Sequence, residues 1–78
     1  MTVVAGVVVE TLPGEAPAVA ERLGRRPGLS VRGDDGDRKI AVVFSGEDGA
    51  ALEALSEELL REDESIVGLF PTLVGRDE

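Results

Sequence analysis

Carboxylates dominate the side chains of this chain that could do chemistry. The 78 residues include sixteen Asp and Glu but no Cys and no His, which removes thiol nucleophiles, thiolate metal sites and the commonest general base. The densest acidic run, Asp34-Asp35-Gly36-Asp37, lacks the spacing and the closing Glu of a calcium-binding loop and has the chemistry of a turn. No nucleophile, base and orienting group can be assembled. We therefore expect a binding protein without catalytic activity, metal or cofactor.

The net charge of −8, from sixteen acidic and eight basic residues, indicates which partners the chain favours. Such a charge repels nucleic-acid phosphates and anionic membrane surfaces, and it attracts basic partners. The same charge is also typical of a small domain that needs it only for solubility. We expect no nucleic-acid partner, and the charge by itself names no other.

The length of the chain allows one domain, which we predict to span residues 1–78. The apolar start, residues 1–9, has no basic flank and is too short to span a bilayer. No small-residue cleavage pattern follows it. We expect a cytoplasmic protein without stable membrane insertion.

Apolar periodicity and turn residues predict four strands and two helices. β-branched runs and alternation predict strands at residues 2–10, 29–32, 38–44 and 65–74. A first helix is predicted at residues 15–25. A second is predicted from a cap at Ser45 to about Asp63, with an apolar stripe of Leu52, Leu55 and Leu59.

The resulting order, βαββαβ, predicts a ferredoxin-like α+β fold. Right-handed crossovers then give a four-stranded antiparallel sheet in the order 4-1-3-2, with both helices on one face. Strand one is apolar at nearly every position, which is typical of a central strand covered on both sides. Strand two is short and strand four contains Gly68 and Pro71, which favours edge positions for both.

The face of the sheet away from the helices is predicted to be apolar. If Glu10 points outward, the period of two places Val3, Ala5, Val7 and Val9 in the core. The outward set on the same logic is Val4, Gly6, Val8 and Glu10 from strand one, Ala41 and Val43 from strand three, and Phe70, Thr72 and Val74 from strand four. Monomers rarely leave such a patch bare, so we expect a homodimer formed through the sheet, or a bound peptide or small ligand. An apolar face that is simply tolerated is the remaining alternative.

One end of this face is predicted to collect acidic side chains. The end of strand one, the hairpin between strands two and three and the start of strand four meet there, which gathers Glu10, Asp34, Asp35, Asp37, Glu62, Asp63 and Glu64. Solvated loop acids are one interpretation. The other is a site for a segment in which Arg precedes apolar residues, because guanidinium pairs geometrically with carboxylate. On that interpretation Asp35 and Asp37 bind the peptide together with the outward residues.

Four stretches of the chain carry a family resemblance: residues 4–9 (VAGVVV), 26–31 (RPGLSV) and 39–45 (KIAVVFS), and Leu73-Val74 before a polar acidic tail. They are similar to the corresponding stretches of the NapD family, the cytoplasmic chaperones of the periplasmic nitrate reductase. The resemblance implies a ferredoxin-like protein that binds, largely through its sheet, the twin-arginine signal peptide of the nitrate reductase catalytic subunit or a related molybdoenzyme precursor. It also implies that this binding prevents premature export during molybdenum cofactor insertion.

A second resemblance is to the effector-binding domain of Lrp/AsnC-type regulators. It shares the order of elements and the Pro27-Gly28 turn after helix one. Such domains dimerise and bind amino acids. The absence of the Gly-x-x-Asp pattern usual before strand three counts against this resemblance. A stand-alone regulatory domain of this kind is therefore kept as the alternative prediction.

Overall fold

The computed structural model describes the backbone of residues 2–77 and the side chains of residues 3–72. Its elements follow the order βαββαβ, which confirms the predicted fold class. They are β1 (Thr2–Thr11), α1 (Ala16–Leu23), β2 (Leu29–Asp34), β3 (Lys39–Gly46), α2 (Gly49–Glu62) and β4 (Ile66–Asp77). The strands pair antiparallel in the order β2-β3-β1-β4, which is the predicted 4-1-3-2 order from the other edge.

The hydrophobic core lies between the sheet and the two helices. Alternate residues of β1 point into it, and Ala5, Val7 and Val9 are at most 3% exposed. The other strands and the helices add Ile40, Val42 and Phe44 from β3, Val19 and Leu23 from α1, and Leu52 and Leu59 from α2. Because both helices insert into this one cluster, they cover the same face of the sheet. The predicted period of two along β1 and β3 is confirmed.

The turn after α1 brings the start of β2 close against β3. Pro17 lies in the first turn of α1, where its missing N–H removes no hydrogen bond. Gly28, in the turn that follows the helix, has a φ of +82°, and a Cβ on it would lie 2.9 Å from the carbonyl oxygen of Ser45. The Ser45 amide donates to the Gly28 carbonyl at 2.8 Å. Glycine therefore serves here both for its φ and for its lack of a side chain.

The start of α2 corrects the predicted cap at Ser45. Ser45 and Gly46 extend β3, because the long central strand β1 offers them pairing partners. Asp48 is the N-cap instead, and its Oδ1 accepts a hydrogen bond from the Ala51 amide at 2.9 Å. The helix ends at Glu62, close to the predicted end. Within the described residues, neither helix is long and apolar enough to cross a membrane.

β4 is an edge strand, as predicted, but its register against β1 shifts at two points. One shift lies just after Pro71, where Thr72 is an extra residue with no partner on β1. Bulges and edges are the places where a strand tolerates a proline without an amide donor. Beyond this bulge the backbone of Val74, a residue predicted to face outward, pairs with Ala5. The side chain of Val74 lies outside the described residues.

Candidate binding face

The open face, defined as the side of the sheet away from both helices, carries the outward residues of β1 and β3. Val4 is 37% exposed, while Gly6 and Val8 are half-buried. On β3, Ala41 is exposed and Val43 is half-buried. The predicted orientation of these five residues agrees with the structure, and their role in binding stays a prediction.

The strand register places these residues side by side across the sheet. Two neighbouring rows fill the middle of the open face, namely Phe70, Val8, Ala41 and Gly33, and then Gly6, Val43 and Ser30. Because several of these residues are glycine or alanine, their small side chains leave a depression in the middle of the face. We call Gly6, Val8, Ala41 and Val43 the apolar trough. Phe70, 53% exposed, stands on its β4 side.

Thr72 is exposed, but its hydroxyl group is engaged within the sheet. Its Oγ1 donates to the carbonyl oxygen of Gly6 at 3.1 Å. This hydrogen bond joins β4 to β1 at the bulge and gives the Gly6 carbonyl, next to the register shift, a donor. Thr72 therefore stabilises the bulge, and its predicted contact with a ligand stays a prediction.

A shallow groove of about 320 Å³ lies where the apolar trough meets the hairpin between β2 and β3. Its lining combines Val8 and Ala41 with Asp34, Asp35 and Lys39. The structure thus brings three predicted site residues, Val8, Ala41 and Asp35, into one depression. Lys39 was not among the predicted site residues, although alternation from Ala41 and Val43 gives it the same parity.

Glu10 and Lys39 are direct cross-strand partners at the hairpin end of the open face. Glu10 is half-buried and Lys39 is exposed. Opposite charges at directly opposed positions of an antiparallel pair attract each other. The end that was predicted as acidic therefore also holds a cation, which a basic ligand has to displace or avoid.

Asp35 is engaged by the backbone of its own hairpin. Its Oδ1 accepts hydrogen bonds from the amides of Asp37, Arg38 and Lys39 at 2.9, 2.9 and 3.0 Å. These donors, the Lys39 amide most of all, favour the charged carboxylate and lower the pKa of Asp35 below its usual value. Asp35 thus shapes the turn and keeps its negative charge beside the groove.

Asp37 ties the hairpin to the loop that follows β1. Its Oδ1 accepts a hydrogen bond from the Gly14 amide at 2.8 Å, and its carbonyl accepts one from the Ala16 amide at 3.0 Å. The Oδ2 atom lies 3.7 Å from Nε of Arg38. These contacts explain the position of Asp37 without a ligand, and its predicted role in binding stays a prediction. No group of acidic side chains in the described part of the chain could hold a metal ion.

Glu62 and Asp63, two of the carboxylates predicted at the acidic end, are held by arginines. Arg22 of α1 donates two hydrogen bonds to Asp63, at 3.0 and 3.1 Å. Arg26, just after α1, contacts Glu62 at 3.3 Å and Glu58 at 3.0 Å, and the hydrogen bond to Glu58 raises the pKa of Arg26. These two carboxylates therefore serve the contact between the helices rather than the open face.

Comparison with known families assigns most of this chain. A family model described as NapD protein matches residues 2–64. The match spans β1, β2 and β3, which form the apolar trough and the groove, and it ends before β4. No curated protein matches the chain, and no solved structure matches it.

Proposed function

The chain belongs to the NapD family, and on this premise we propose that it binds a twin-arginine signal peptide. NapD is a chaperone-type family of nitrate reductase maturation rather than an enzyme family. The client is the catalytic-subunit precursor of a periplasmic nitrate reductase or of a related molybdoenzyme. Binding takes place in the cytoplasm and holds back export while the molybdenum cofactor is inserted.

The observation that carries this proposal is an apolar trough that ends at carboxylates on a helix-free face. Val8 and Ala41 line both the trough and the groove, and Asp35 lies at the hairpin end of that groove. A twin-arginine peptide has the matching order, two arginines followed by an apolar stretch. Its apolar part would cover the trough, and its arginines would lie near Glu10 and Asp35.

The trough must supply most of the affinity. Exposed ion pairs contribute only about 0–1 kcal/mol each, whereas burial of apolar surface contributes roughly 25 cal/mol per Å². The net charge of −8 acts mainly on the association rate and on the choice of a basic partner. Added salt should therefore weaken binding moderately without abolishing it.

The alternative from the sequence, a regulator domain that binds amino acids and dimerises, has less support, because the family match is to NapD. A second copy of the chain could still cover the open face. Sedimentation at several protein concentrations, with and without peptide, separates the two occupants. We expect a monomer that binds one peptide, and a dimer that peptide does not dissociate would contradict the proposal.

Calorimetry tests the proposal directly. The probe is a synthetic peptide with Ser-Arg-Arg followed by an apolar stretch, and we expect a dissociation constant of about 1 μM or lower. A titration that gives no heat at several temperatures, together with unchanged amide chemical shifts, would refute the proposed function.

Introducing a negative charge on the open face or on the helix side then locates the site. Val8→Glu and Val43→Glu place an unpaired carboxylate in the trough and should weaken peptide binding at least about tenfold, because an apolar ligand segment would bury that charge. The matched control is Leu60→Glu, since Leu60 is 46% exposed on α2 and lies on the helix side. Circular dichroism confirms the fold of each variant. Equal weakening in all three would mean that the open face is not the site.

A further inference from the structure

The glycine at position 68 is explained by its neighbour Phe70 rather than by its own backbone. Among the described residues, the glycines with positive φ are Gly14, Gly28, Gly33 and Gly36, and Gly68 is not one of them. A Cβ on Gly68 would lie 2.8 Å from both Cε2 and Cζ of Phe70. Side chains do not pack at such distances, so the Phe70 ring occupies the space that any larger residue at position 68 would need.

The same arrangement occurs on the other face of the sheet with a different purpose. A Cβ on Gly46 would collide with the ring of Phe44, and Phe44 is 5% exposed within the core. There the glycine lets an aromatic ring fill the interior. Phe70 has no interior to fill, since 53% of it is exposed on the open face. An aromatic ring that is held down in this way and left exposed is available to a ligand.

The Phe70 ring is held next to Glu10. Gly68, which the ring covers, is the direct cross-strand partner of Glu10, and Phe70 itself is the partner of Val8. Direct partners in an antiparallel pair have side chains about 4.5–5.5 Å apart. The Phe70 ring and the side chain of the half-buried Glu10 therefore lie on adjoining positions of the open face.

A ring beside a carboxylate has the chemistry of a guanidinium site. Guanidinium is planar, stacks on aromatic faces and pairs with carboxylate oxygens at its edge. A Lys ammonium has no such plane, and a neutral amide lacks the positive charge that both partners attract. The chain's charge of −8 also favours a cation over an anion at this place. Lys39 lies opposite Glu10 on β3, so the arginine must approach Glu10 from the Phe70 side, away from this lysine.

We propose that Gly68 is a positioning residue which, by lacking a side chain, holds the Phe70 ring beside Glu10 so that the ring and the carboxylate together bind one arginine of the ligand. The inference rests on the proposed function, because it names the residues that recognise an arginine in the same site. Val8 and Ala41 receive the apolar residues that follow.

Two peptides and three variants test it. The peptides differ only in that one has Arg-Arg and the other has Gln-Gln before the same apolar stretch, and the measured quantity is the ratio of their dissociation constants. Phe70→Leu removes the π-face but keeps an apolar side chain, and should reduce this ratio about two- to fivefold. Gly68→Ala should reduce it similarly, because the methyl group displaces the ring. Phe70→Tyr keeps the π-face and should preserve the ratio.

The ratio separates recognition from stability. An aromatic ring over a strand glycine also shields backbone, so Phe70→Leu and Gly68→Ala are expected to alter the free energy of unfolding, but a purely structural role would weaken both peptides equally. Leu60→Ala on α2 is the matched control and should leave the dissociation constants of both peptides unchanged. If wild type binds neither peptide, the proposed function fails. If wild type binds the Arg-Arg peptide better and Phe70→Leu leaves the ratio unchanged, the proposed function stands and the arginine site at Phe70 is refuted.

Discussion

Val42 and Val43 are neighbours on β3 but lie on opposite faces, so truncating each to alanine separates the core from the open face. Val42 is 3% exposed in the core, whereas Val43 is half-buried. Removing two buried methyl groups forfeits about 1.6 kcal/mol of transfer free energy. The cavity adds to this, so Val42→Ala should lower the free energy of unfolding by about 2–3 kcal/mol. Val43→Ala removes the same groups from a partly solvent-exposed position and should lower the free energy of unfolding by less than about 1 kcal/mol.

Urea and thermal unfolding followed by circular dichroism measure this difference. For a domain of this size each kcal/mol shifts the melting temperature by about 4–8 °C, so Val42→Ala should melt about 8–24 °C below wild type. Val43→Ala should melt within a few degrees of wild type. If both variants lost the same stability, Val43 would be packed as tightly as the core in the free protein. The helix-free face would then not be open, and the reasoning that makes it a binding site would be refuted.

Two further predictions concern the turns that frame the sheet. Gly28→Ala should destabilise the fold by at least about 1–2 kcal/mol, because φ is +82° and the new Cβ would meet the Ser45 carbonyl at 2.9 Å. Gly14→Ala is the control, because its φ is +79° but a Cβ there would meet no neighbouring atom within 4 Å. Urea unfolding of both variants therefore isolates the effect of the contact with Ser45, and equal losses of stability in the two variants would contradict a role for that contact. Asp35 has a lowered pKa, so its contribution to stability is complete above its usual value of 3.8 and is lost as the pH falls through the lower folded-state pKa. Melting temperatures measured across this acidic range should show wild type losing its advantage over Asp35→Asn, and a constant difference at all pH values would speak against the role of the carboxylate.

The order of elements and the two faces of β1 were predictable because they depend on local patterns. The β-branched run around Val7 specifies a central strand, and a charged residue at Glu10 fixes which parity faces outward. Both signals are in the chain itself and need no knowledge of neighbours. The sheet order followed from the handedness of the crossovers.

The details that the sequence did not predict depend on cross-strand partners. Ser45 has the chemistry of a helix cap, but pairing with β1 keeps it in β3, and the cap passes to Asp48. The bulge at Thr72 arises from the register of β4 against β1; Pro71 is compatible with a bulge or an edge strand, but it does not by itself set the register. Asp35 was predicted as a ligand-binding carboxylate from its charge alone, whereas its bonds to three hairpin amides appear only once the turn is folded.

Amide chemical shifts of isotope-labelled protein, followed during titration with the Arg-Arg peptide, test the central claim most directly. We predict that the largest shifts fall on the apolar trough and its hairpin end, at Gly6, Val8, Ala41 and Val43, while the exposed surface of α2 around Leu60 changes little. Shifts concentrated on the two helices, or no shifts at a peptide concentration well above that of the protein, would contradict the account.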